Sequence, residues 1–170
     1  MDAKLLIRNI SLLVFFGLLQ VLFLNNIEIT KWHITPYIYV AAILLFPFQT
    51  PVWFRITAAF ALGLAVDIFS DTGGMHAFAL VFTAYIRPLV LNLIQPRDGY
   101  DFPLQPLVSN LGFNWFMKYS LIMLSIHHII FFILDSFSFS LFFSKLHVLI
   151  LSLIFSGIVI LLSQFLIFRR

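Results

Sequence analysis

The chain has 170 residues, 62% of them hydrophobic and only 10% charged, and its mean hydropathy is +1.05. These values exclude a soluble domain; at about 20 apolar residues per span with short connections, the length allows about six membrane-crossing helices. The net charge of +3 does not point to nucleic acid, because the basic residues sit at the ends of apolar runs, and the absence of Cys removes disulfides and thiolate metal sites.

The first span is expected at about 5–24, behind Lys4 and Arg8. It has full spanning length and no small-residue cleavage pattern after it, so it reads as a retained helix and not a signal peptide. Gln20 is a lone polar residue in this run, expected to make a helix–helix hydrogen bond. A polar loop over 25–35 carries Glu28, Lys31, Trp32 and His33. Thr35-Pro36 then predicts a cap with proline at the first helical position, opening a short helix over 36–48. Pro47 ends or kinks that helix, and Thr50-Pro51 repeats the signal for a third helix over 51–69.

The third helix and the one after it carry the polar residues that need a reason. Asp67 lies in an apolar helix, where an unpaired carboxylate costs about 2.5 to 3.5 kcal/mol on insertion scales. Arg55, Ala59, Gly63 and Asp67 recur every fourth residue, so a glycine lies one turn from the acid on the same face. A neighbouring helix can approach closely there. Ser70-Asp71-Thr72-Gly73-Gly74 forms a tight corner, and the fourth helix is expected over 74–94, with His76, Leu80, Thr83 and Arg87 on one face. Asp67 and His76 flank the corner. Two readings stand for them: proton transfer or an ion pair, or a carboxylate that satisfies donors at the start of the next helix. Arg87, beside Pro88, is expected to snorkel toward the near interface.

Residues 95–113 form the longest loop, ordered by Pro96, Pro103 and Pro106. Asn114 is expected to cap a fifth helix over 114–134, with Trp115 as its interfacial anchor. His127 and His128 fall near its middle, and adjacent helical residues diverge by about 100°, so one is expected to face the bundle. A surface loop over 135–145 leads to the last helix, 146–168. With six spans, one side of the membrane holds Lys4, Arg8, Arg55, Arg87, Arg97, Lys118, Arg169 and Arg170, the other only Lys31 and Lys145. The excess places both termini in the cytoplasm and the corner outside.

No Gly-x-Ser-x-Gly, His-Glu-x-x-His or P-loop pattern occurs, so the expectation is no enzyme, cofactor or metal. Gly63-Leu64-Ala65-Val66-Asp67, followed by Gly74, Ala77 and Ala84-Tyr85, resembles the signature of the rod shape-determining protein MreD family. Where members of that family often have a proline in the outer corner, this chain has Asp71-Thr72-Gly73. The resemblance implies an all-α integral membrane bundle of six helices, similar to the S components of vitamin transporters. It also implies a bacterial inner-membrane scaffold that partners MreC and acts with MreB, RodA and a class B penicillin-binding protein in lateral peptidoglycan synthesis. Gly63, Asp67, Gly74, His76, Ala77 and Arg87 are the candidate structural or partner-binding residues. Small residues offer helix-packing faces at Ala58, Ala61 and Ala65 and at Ser11 and Gly17. The alternative is a small-ligand binder like a transporter S component, with a pocket near Asp67 and His76 open to the outside. A third possibility, proton-linked transport, requires titratable partners on a second helix at the depth of Asp67.

Overall fold

The computed structural model describes residues 3–26, 34–97, 99–100 and 105–167. The loop residues Glu28, Lys31, Trp32 and His33, together with Asp98, Asp101, Pro103 and the two terminal arginines, lie outside the described residues. The elements are α1 (Ala3–Leu22), α2 (Val40–Leu44), α3 (Val52–Ser70), α4 (Met75–Leu93), α5 (Val108–Leu111), α6 (Phe113–Ser136), α7 (Phe139–Ser144) and α8 (Leu146–Ile167), with one 3-10 turn at Leu24–Asn26. The described residues are helical with no strand. Among the described residues, four helices are long and apolar enough to cross a membrane: α3, α4, α6 and α8. A shorter apolar helix, Leu6–Leu22, makes up most of α1. Packing is sequential, α1 on α3, α3 on α4, α4 on α6 and α6 on α8, and exposed Leu, Ile and Phe cover the outside.

The expected helix over 36–48 is corrected. Only Val40–Leu44 is α-helical, and the residues leading into it are irregular. Ile38 through Phe46 are at most 1% exposed, so this segment is the core of the bundle and has no lipid-facing side. Four irregular residues reach up to about 13 Å, and nine more in helical turns add about 14 Å. The segment is therefore at most about 27 Å long, close to the roughly 30 Å depth of a hydrocarbon core. Irregular backbone at that depth needs partners for every polar group, and side chains of the surrounding helices supply them. Ser156 Oγ accepts from the Tyr37 N–H at 2.8 Å. Gln20 Oε1 accepts from Ile38 at 2.8 Å and Tyr39 at 3.4 Å. At the other end, the Tyr119 hydroxyl donates to the Leu44 carbonyl at 3.0 Å, and Gln105 Nε2 donates to that of Leu45 at 3.2 Å. Gln20 thus serves this threaded segment, and its amide nitrogen donates to Asn25 Oδ1.

Two further local expectations change. α6 starts at Phe113 behind Gly112, whose φ of 83° suits a residue without Cβ, so Asn114 lies inside the first turn and does not cap it. The 135–145 segment holds α7, and Lys145 bridges back to Asp135 at 2.6 Å.

Candidate functional site

At the corner joining α3 to α4, Asp71 (φ 54°), Gly73 (φ 59°) and Gly74 (φ 95°) all adopt left-handed backbone. This reverses the chain in four residues. α4 starts with its first N–H groups unpaired by the helix itself, and Asp67 reaches across from α3 to meet them. Its Oδ1 accepts from the His76 N–H at 3.0 Å and its Oδ2 from the Ala77 N–H at 2.8 Å. The Thr72 hydroxyl donates to Oδ1 at 2.6 Å. The carboxylate is 4% exposed and sits at the positive end of the α4 dipole. Both oxygens are occupied, and neither meets the His76 ring.

Gly63 lies one turn below. A Cβ built there would sit 2.4 Å from the Ala77 Cα and 2.9 Å from the His76 carbonyl oxygen. Only glycine permits that backbone contact. Gly63, Asp67, Gly74, His76 and Ala77 are therefore brought together as one clamp at the corner, where the α3 and α4 backbones touch.

Arg87 is not part of it. Eleven residues after His76, it lies about 16 Å down α4 and is fully buried, which corrects the expectation that it snorkels to the interface. Its Nε donates to the Tyr119 hydroxyl at 2.7 Å, and its Nη2 donates to the carbonyls of Leu44, at 3.3 Å, and Phe46. It is drawn inward because the threaded segment ends there, with the carbonyls of Leu44 and Phe46 turned to side-chain donors. Arg55 is also buried and donates through Nε to the Ala84 carbonyl at 2.9 Å. Ala84 is four residues before Pro88, which has no N–H to donate. Arg55 supplies the bond that the proline removes.

The clamp continues inward through His76. Its Nδ1 lies 2.8 Å from the Tyr39 hydroxyl, and His127 Nε2 lies 2.7 Å from the same oxygen. His128 bonds through Nδ1 to the Leu124 carbonyl at 2.8 Å and through Nε2 to Ser156 Oγ at 3.2 Å. Both histidines of α6 are 0% exposed, which corrects the expectation that only one faces the bundle. They do so because the threaded segment and α8 line different sides of α6. The relay from His76 stops at His127, whose Nδ1 is buried without a partner. Among the described residues, no group of three or more His or acidic side chains could hold a metal ion.

Two openings flank these contacts. A polar hollow of about 560 Å³ at the corner end is lined by Asn25, Tyr37, Ser70, Thr72, His76 and Phe131, among others. On the outer face, an apolar groove of about 310 Å³ runs between α1 and α3, lined by Gly17, Ala58, Ala61 and Ala65 together with larger Leu, Val and Phe side chains. Tyr39 and Ser156 are not visible as site residues in the sequence, since each is a hydroxyl within a largely apolar run that carries no motif. The only signal is that buried hydroxyls need partners. Compared with family models, curated proteins and solved structures, the chain matches none.

Proposed function

We propose that the chain is a non-enzymatic scaffold of the bacterial cell-elongation complex, embedded in the inner membrane with both termini in the cytoplasm. In this reading it binds MreC and, through the same assembly, acts beside MreB, RodA and a class B penicillin-binding protein. The observation that carries the reading is the α3–α4 clamp. Gly63, Asp67, Gly74 and Ala77, four of the residues that carry the family resemblance, lie at the corner of this hairpin. The acid is committed to backbone donors, so its role is architectural and not chemical. A rigid hairpin beside a small-residue groove is suited to packing against a partner's transmembrane helix, where association rests on close van der Waals contact. Recovery from native membranes tests the proposal: a tagged chain in mild detergent is expected to retain MreC, and its depletion is expected to round the cells. Absence of MreC together with unchanged cell shape would refute it.

A further inference from the structure

The corner-end hollow is more than a gap between helices, because the hydrogen-bond arithmetic around Tyr39 fixes what it presents. The Tyr39 hydroxyl has one proton and two imidazole neighbours, so it donates to one ring and accepts from the other. If it donated to His127 Nε2, the His127 proton would sit on Nδ1, a buried N–H with no acceptor. Orphaned N–H groups are rarer than orphaned acceptors. The favoured order is therefore His127 Nε2–H donating to Tyr39, and Tyr39 donating to His76 Nδ1. The proton of His76 is then on Nε2. His76, 3% exposed, lines the hollow, and its Nε2, unlike His127 Nδ1, is not among the buried atoms without a partner.

The other polar walls sort in the same way. The Thr72 proton is committed to Asp67, while Ser70 Oγ accepts from Asn25 Nδ2 at 2.9 Å and keeps its own proton to give. Phe131 stacks on the His76 ring, centroids 4.4 Å apart, and Tyr37 stands edge-on to the same ring. None of the described lining residues carries a charge. Donors without cations, set between aromatic walls, suit an accepting oxygen on an uncharged planar molecule. Among the described lining residues a carboxylate would find no counter-charge for the water it loses.

We infer that the hollow bounded by His76, Ser70 and Tyr37 is a binding site for a small uncharged molecule bearing an amide carbonyl, with His76 Nε2–H as the orienting donor. The site does not depend on the scaffold reading. Nicotinamide and nicotinate share a shape and differ in charge, so they serve as paired probes. With isotope-labelled histidine nitrogens in the full-length protein in nanodiscs, His76 is expected to show the Nε2–H tautomer. Nicotinamide is expected to shift its resonance saturably, and nicotinate to leave it unmoved. Tyr39→Phe, which removes the hydroxyl that selects the tautomer, is expected to give a mixed His76 population and weaker nicotinamide response. An Nδ1–H tautomer in the unmodified protein, an equal response to both probes, or no response to either would overturn the inference.

Discussion

Asp67 shows how one side chain can be costly alone and stabilising in place. It accepts three hydrogen bonds, two of them from backbone groups at the start of α4. Asp67→Ala leaves both N–H groups orphaned, and each unsatisfied buried donor costs about 1–3 kcal/mol. Unfolding in a denaturing detergent titration should therefore shift by about 2–5 kcal/mol. Asp67→Asn retains one accepting oxygen and turns an NH₂ toward a donor, so it should fall between the two. Gly63 is held to an equally narrow choice by distance: a methyl group at its α-carbon would lie 2.4 Å from the Ala77 Cα, so Gly63→Ala must push α3 and α4 apart. The expected loss is about 1–3 kcal/mol, and a cysteine pair across the hairpin at the corner should crosslink more slowly. An unchanged crosslinking rate would show that the contact is not tight.

At the level of elements, the threaded segment explains polar residues that a span-by-span reading leaves scattered. Gln20, Ser156, Tyr119, Gln105 and Arg87 stand far apart in the chain, yet all bond to the backbone of residues 37–46. Gln20→Leu should orphan the N–H groups of Ile38 and Tyr39 and lower stability by about 1–3 kcal/mol per group. The Pro88 break permits a cleaner test. Arg55→Met alone should leave the Ala84 carbonyl unpaired, whereas Pro88→Ala restores an N–H at the position that bonds it. In a double-mutant cycle the two changes should therefore be less than additive, with a coupling of about 1 kcal/mol. Strict additivity would mean that Arg55 does not replace the missing bond. The same elements show what is legible in the sequence. The long apolar runs announce α3, α4, α6 and α8, and the four-residue spacing from Gly63 to Asp67 announces a close helix contact beside an acid. The 36–48 run defeats such a reading because its apolar composition is the same whether it is a lipid-facing helix or irregular core. What decides the matter is which distant side chains reach its backbone, and local periodicity does not record that. The inward turn of Arg87 is hidden for the same reason, since the carbonyls that draw it in lie some forty residues away in the chain.

For the whole molecule, the clamp, the threaded core and the sequential packing leave α1 and α3 with a shared outer groove lined in part by small residues. Gly17 sits against Leu62, where a Cβ would meet the Leu62 Cδ1 at 2.8 Å, so the two helices are already close behind the groove. Ala61 is exposed and Ala65 half-buried. If this groove seats a membrane helix of the proposed scaffold's partner, filling it should remove binding and spare the fold, because the added atoms extend the exposed face and leave the buried core alone. Ala61→Leu with Ala65→Leu tests this: leucine is as compatible with lipid as alanine and a better match to a membrane helix in hydropathy, so stability in detergent should change by less than about 1 kcal/mol. Recovery of MreC should nevertheless fall sharply, since close approach of helices in a membrane depends on small residues at the contact. Leucines placed instead at Ile129 and Ile133, exposed on α6, should leave recovery intact. Equal recovery from both variants would move the contact to another face, and loss from both would indicate that the whole lipid-facing surface, not one groove, holds the partner.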